Sequence, residues 1–239
     1  MGTSVRALMV IDVNAQALLD TAELTVVGRL VDASNATLLC SINEEIRVIY
    51  KPIAGERPLW DFPDGDLASR EVAAYYISKV GGFDLVPYTT LRDGPFGKGS
   101  VQHWIDNDES IDIAVYGQSD DLQLRALALF DAVLNNTDRK FGHLLLTKEG
   151  KLFGCDHGVT LHTDPKLRTV LWQWSGDALT PQEIEQLRNL RSVLDTQYLG
   201  QLISAAEIDA LTSRIDELIR IQRMPTPSDE WPAVPWPPF

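Results

Sequence analysis

"VLNNTDRKFGHLLLTKEGKLFGCDHG", residues 133–158, is the stretch whose reading decides the fold. It begins where a long apolar stretch, "DDLQLRALALFDAVLNN", runs out. Leu122, Leu127, Phe130, Val133 and Leu134 give that stretch a broad apolar face, and the spacing predicts a helix. Asp138 follows the helix. "LLLTKEGKLFGCDHG" then reads as a hairpin turning at Lys148 to Gly150, and Asp156-His157-Gly158 closes it. Gly158 permits a sharp turn, so that Asp156 can point back toward a ligand.

Two aspartates on either side of a short hairpin suit phosphoryl transfer. That reaction is mostly positioning and charge neutralisation. It needs a carboxylate to orient the nucleophile and take its proton, and oxygen-rich ligands for metal on the phosphates. In the protein-kinase pattern the base aspartate is followed by a metal-binding asparagine, and a second metal-binding aspartate sits in Asp-Phe-Gly. Here Asp138 stands first, His143 takes the asparagine's place, and Asp156 follows the hairpin. Upstream, Lys51 ends the apolar strand "EEIRVIYKP", as the phosphate-pairing lysine of a kinase does. Glu71 lies on the next predicted helix and is placed to pair with it.

The chain around this motif divides into a strand-rich and a helical half. "LTVVGRLVD" and "ATLLCSI" predict a hairpin around the polar turn "ASN", and "EEIRVIYKP" a third strand stopped by Pro52. "DLASREVAAYYISKVGG" predicts a helix capped by Asp66, with Val72, Tyr75, Tyr76 and Val80 near helical spacing and Gly81 and Gly82 at its end. "FDLVPYTTL" and "GSVQHWI" predict two more strands. "GPFGKG", residues 94–99, lacks the ending and the following helix of a phosphate loop and reads as a flexible connection near the cleft. After the hairpin, Thr180 with Glu183 and Ser204 with Glu207 predict two capping boxes. Trp172 and Trp174 read as core or pocket wall. The tail "MPTPSDEWPAVPWPPF" reads as an extended surface strap, or more sharply as a docking peptide.

Composition sets bounds. With 239 residues the chain can form one large domain or two intimate lobes. Its 44% hydrophobic and 23% charged residues are ordinary for a globular protein. A net charge of −13 argues against general nucleic-acid binding and against attachment to anionic lipid. Cys40 and Cys155 form neither a disulfide framework nor a zinc spacing, which fits a reducing, cytoplasmic setting. The first residues lack the shape of a signal peptide and the pattern for myristoylation, and no run is apolar enough for a membrane span.

"NNTDRKFGHLLL" followed by "GKLFGCDHG" resembles the catalytic and metal-binding loops of the phosphoinositide 3-/4-kinase-like superfamily. That superfamily includes HipA-type kinases and small actinobacterial phosphoinositide-kinase-like proteins. Its loop reads Asp-Arg-His-x-x-Asn, and here the corresponding residues are Asp138-Arg139-Lys140-Phe141-Gly142-His143. "VPYTTLRDGPFGKGSVQHWI" resembles the segment leading to the interlobe hinge. The resemblance covers roughly residues 24–160, is specific in the two loops, and is loose elsewhere.

The resemblance implies an α+β, two-lobed, protein-kinase-like fold with ATP in the interlobe cleft. The order of predicted elements gives a single domain over 1–239: N-lobe and hinge 1–106, C-lobe 107–224, tail 225–239. The expected activity is transfer of the γ-phosphoryl group to a hydroxyl acceptor, a small molecule or a protein Ser/Thr, with lipid disfavoured. Lys51 is expected on the phosphates, oriented by Glu71, with Asp138 as base and Asp156 and His143 binding Mn²⁺ or Mg²⁺. Arg139 is assigned either to phosphate or acceptor, or to an ion pair with a nearby carboxylate. Gln102, His103 and Trp104 are expected as nucleotide contacts at the hinge. Ser34 and Asn35, in the first hairpin's turn, stand where a phosphate-covering loop belongs, or form an ordinary turn.

Two departures from the pattern matter. His143 for asparagine is a softer ligand and predicts manganese preference. His157 for phenylalanine exchanges an apolar plug for a titratable group. These departures keep alive a nucleotide-binding pseudokinase that acts through a partner, and nucleotidyl transfer on the same fold is a third reading.

Overall fold

A computed structural model describes residues 13–30 and 35–239. Ser34 therefore lies outside the described residues, as do the N-terminal residues up to Asp12. The N-lobe opens with helix α1 (Val13–Thr21), which the sequence reading did not anticipate. Five antiparallel strands follow: β1 (Thr25–Arg29), β2 (Leu38–Ile42), β3 (Ile46–Pro52), β4 (Thr89–Gly94) and β5 (Gly97–His103). Their order in the sheet is β1-β2-β3-β5-β4. The interior strand β3 carries Lys51, paired across to Ser100 of β5. Leu19, Cys40, Ile42, Val48, Tyr50 and Val101 form this lobe's small core.

Helix α2 (Leu67–Val80) crosses between β3 and β4 in sequence. Asp66 caps it by accepting from the Ser69 amide, as expected. The apolar face is rotated from the expected one. Val72 is buried, but Ala73, Ala74 and Ile77 lie deepest, while Tyr75, Tyr76 and Val80 are half-buried. These three small or aliphatic residues join the larger C-lobe core, so α2 is held from below. The expected strand over "FDLVPY" is absent, because Ser78 Oγ accepts from the amides of Leu85 and Val86 and ties the segment to α2. The glycine-rich residues 94–99 are not a connection near the cleft but the tight end of the β4–β5 hairpin, with Gly94 paired to Gly97. Gly99 is obligatory there, since an added Cβ would sit 2.4 Å from the Lys51 carbonyl oxygen.

The C-lobe comprises α3 (Ile113–Tyr116), α4 (Leu122–Leu134), the hairpin β6 (Leu144–Leu146) and β7 (Leu152–Gly154), then α5 (Pro181–Val193), α6 (Thr196–Leu199) and α7 (Ala205–Ile221). Leu127, Phe130, Val133 and Leu134 of α4 are buried as expected, whereas Leu122 is 77% exposed. Asp121 caps α4 so that Leu122 falls in the first turn, and Leu124 takes the buried place. Both capping boxes form, at Thr180 with Glu183 and at Ser204 with Glu207. Trp174 is core. The tail is a strap: Ala233 O accepts from the Thr169 amide and from Trp172 Nε1, and Pro238 O accepts from the Phe141 amide.

Candidate active site

The loop after α4 is set by its own side chains. Asn135 ends the helix in a left-handed conformation, φ 52°, and its amide nitrogen donates to the carbonyls of His162 and Asp164. Asn136 donates to Asp131 and accepts from the Asp138 amide. Asp138 is thereby presented to a cavity of about 600 Å³ between the lobes, which Lys51, Glu71 and Asp156 also line. Lys140 Nζ stands 3.2 Å from Asp138 Oδ2. Burial raises the Asp138 carboxyl above its ordinary range, against the opposing charge of Lys140.

Lys51 Nζ joins the two lobes. It donates to Glu71 Oε1 and, at 2.7 Å, to Asp156 Oδ1. Glu71 uses its other oxygen to accept from the His157 amide at 3.0 Å. Burial alone would push the Lys51 ammonium down, but Asp156 and Glu71 outweigh it and hold the proton on. Lys51 in turn holds the Asp156 carboxyl well below the usual carboxylate range. Asp156 itself has φ 59° and a side chain that is 49% exposed, and Lys51 bonds only one of its two oxygens. His143 Nε2 lies 3.4 Å from the other oxygen. Burial pushes the His143 imidazole down to about 4, so it is neutral near pH 7 and can act as a ligand.

Of the two roles expected for Arg139, the structure shows the ion pair with a nearby carboxylate. The Arg139 side chain is 0% exposed and cannot meet a substrate. It pairs with Asp131 through Nε and Nη2 at 2.9 Å, donates to the Cys155 carbonyl at 2.8 Å, and meets His157 Nε2 at 2.7 Å. One guanidinium thus ties α4, the loop after it and the Asp156 loop together. His157 accepts from it as a neutral ring, held neutral by burial and by the Arg139 charge, and packs against Phe130. It therefore remains a buried plug, with a polar tether added.

Gln102, His103 and Trp104 do not reach the cavity. The Gln102 amide is buried and donates to Thr89 Oγ1, while the backbone amides of His103 and Trp104 are taken by the carbonyls of Tyr88 and Arg47. Asn35 does line the cavity, but its Oδ1 accepts from the Arg57 amide and so holds the loop after β3. Residues that the sequence reading passed over complete the site: Asp131, Glu56, Trp60, Lys166, Arg168 and Trp231. Asp131 had a signal, a charge amid the apolar run "LALFDAVL". Glu56 accepts from the first amides of α2 at Leu67 and Ala68, fixing the helix that carries Glu71.

The two lobes, the lysine–glutamate pair and the hairpin flanked by aspartates define the class of protein as kinase-like. Solved structures agree on the fold. The Golgi casein kinase superposes with a TM-score of 0.57 at 12% identity, covering 87% of this chain and 73% of that one. Its form with manganese and ADP bound gives 0.58, and the hydra Fam20 structure with sugar gives 0.57 at 12% identity over 92% of each chain. No family model matches the sequence. Protein Rv2133c of Mycobacterium tuberculosis is 40% identical over 264 aligned positions, spanning 93% of this chain and 95% of that protein. The chain belongs to the Rv2133c family. Among the described residues, no helix is long and apolar enough to cross a membrane.

Proposed function

We propose that the chain is an atypical kinase that transfers the γ-phosphoryl group of ATP to a hydroxyl acceptor. The observation that carries this reading is Lys51 bridging Glu71 and Asp156 on the cavity that Asp138 also lines. In this reading Lys51 holds the nucleotide phosphates, and Glu71 fixes Lys51 and the Asp156 loop at once. Asp138 orients the acceptor hydroxyl and takes its proton as the new O–P bond forms and the bond to ADP breaks. Its raised affinity for protons favours that step.

The donor set fits one divalent ion. Asp156 offers the carboxylate oxygen that Lys51 does not bond and His143 a neutral imidazole beside it. Among the described residues no three such side chains converge, so the remaining ligands fall to phosphate oxygens and water. The ion supplies neutralisation of phosphate charge when bound. The imidazole favours Mn²⁺ over Mg²⁺. The link to the phosphoinositide-kinase-like branch rests on the loop motifs alone.

The test is Asp138→Asn, assayed with ATP labelled separately at the α and γ positions and a metabolite extract as acceptor pool. γ-label should enter product, with the variant about 10²–10⁴-fold slower and ADP binding retained. Entry of α-label would mean nucleotidyl transfer. Binding of ADP with transfer of neither label would mean a pseudokinase.

A further inference from the structure

The cavity is also lined by cations that the proposed phosphoryl transfer does not use. Lys166 is 5% exposed, and its Nζ lies over the rings of Trp60 at 5.3 Å and Trp231 at 4.6 Å. Its nearest carboxylates, Asp61 and Asp164, are 3.8 and 4.0 Å away, too far for a hydrogen bond. His162 Nε2 is nearer, at 3.2 Å, but cannot accept. His162 Nδ1 accepts from the Asp164 amide, so Nε2 carries the ring proton and donates it to the Asp61 carbonyl. Among the described residues the Lys166 ammonium is thus buried without a true acceptor, an arrangement that is costly unless an anion completes it.

Two more cations line the same cavity. Arg168 has a buried Nε with no hydrogen-bond partner, and the exposed Arg57 guanidinium makes no ion pair among the described residues. The acids along this cavity are mostly engaged elsewhere. Glu56 caps α2, while Glu71 and Asp156 hold Lys51. In a chain of net charge −13, three cations with unfilled bonding capacity along one cavity are a local exception.

We infer that Lys166, Arg168 and Arg57 form an anion-binding subsite for the acceptor, which is a small hydroxyl-bearing anion, a phosphate ester or a carboxylate. This rests on the kinase reading only in calling the ligand the acceptor. The indoles of Trp60 and Trp231 wall the subsite, and Asp138 lines the cavity beside it, so an acceptor anchored by its anion presents its hydroxyl toward Asp138.

The test is titration of inorganic phosphate, and separately of acetate, into protein already saturated with ADP and Mn²⁺, followed by tryptophan fluorescence and calorimetry. Saturable phosphate binding is expected, at least tenfold weaker in Lys166→Gln and in the exposed variant Arg57→Gln, with ADP affinity unchanged. Stronger binding of phosphate assigns a phosphate ester, and stronger binding of acetate a carboxylate. The proposal is overturned if neither anion binds the ADP-loaded wild type, or if both variants bind as wild type does. It is also overturned if Lys166→Gln loses ADP affinity in parallel, because the cations would then serve the nucleotide. It is overturned, too, if a Ser/Thr peptide without anionic groups is phosphorylated equally by wild type and Lys166→Gln. If wild type fails to bind ADP yet binds phosphate through Lys166, the anion subsite stands and the kinase reading falls.

Discussion

Removing one half of the Asp131–Arg139 pair should unfold the site rather than merely slow it. Both side chains are 0% exposed. Arg139 has no solvent to fall back on, and it makes contacts with Asp131, Cys155 and His157 together. Truncating one partner of a buried pair leaves an uncompensated charge and costs about 3–5 kcal/mol. With a urea slope of about 2–3 kcal/mol/M for a chain of this size, Asp131→Asn or Arg139→Gln should lower the unfolding midpoint by roughly 1–2 M. The double variant Asp131→Leu/Arg139→Met removes both charges, so it should cost far less than the sum of the single changes. Urea unfolding followed by circular dichroism measures all of these. If Arg139→Gln keeps the wild-type midpoint, or if the double variant is additive, the guanidinium is not a structural tie and a substrate-facing role would have to be reconsidered.

Two further outcomes follow from the histidines. His157 is neutral in the fold, with its proton affinity far below the ordinary value, so the unfolded chain binds a proton that the folded chain does not. Stability should therefore be lost as pH falls below about 6.5, by about 1 kcal/mol between pH 7 and 5.5 from this group. Urea midpoints at the two pH values should show that loss reduced in His157→Phe, which itself costs roughly 1–3 kcal/mol by leaving an Arg139 donor unpaired. His143→Asn should shift the ratio of ADP affinities with Mn²⁺ and Mg²⁺ toward Mg²⁺, read by calorimetry; an unchanged ratio would remove His143 from the metal site.

The parts of the fold legible in the sequence were those with local causes. Asp66, Thr180 and Ser204 cap the helices they were read to cap, because a cap bonds within its own turn. The β6–β7 hairpin forms with its turn at Gly150, φ 78°. Lys51, Glu71, Asp138, His143 and Asp156 fall in one site because each sits at a strand end, a helix face or a loop that a known pattern orders. What stayed hidden was set by distant partners. The turn of α2 toward Ala73 and Ile77 depends on packing against the C-lobe. The burial of Arg139 depends on Asp131, which lies in the last turn of α4, beyond the intervening loop. The subsite around Lys166 joins residues 57, 60, 166, 168 and 231, which no local spacing relates. Gln102, His103 and Trp104 were placed by resemblance of a loosely matched segment; the Gln102 side chain bonds Thr89, and the His103 and Trp104 amides are taken by backbone carbonyls.

The central claim, a nucleotide site built on Lys51, Glu71, Asp138 and Asp156, is tested most directly by thermal unfolding with ADP and Mn²⁺ or Mg²⁺, for wild type and Asp156→Ala. A ligand at about 100 times its Kd stabilises by about 2.7 kcal/mol, which for a chain of this length raises Tm by roughly 5–10 °C. The account predicts that rise in wild type, dependent on metal, and its loss in Asp156→Ala when each protein is compared with its own ligand-free Tm. No metal-dependent rise in wild type, or an equal rise in Asp156→Ala, would contradict it.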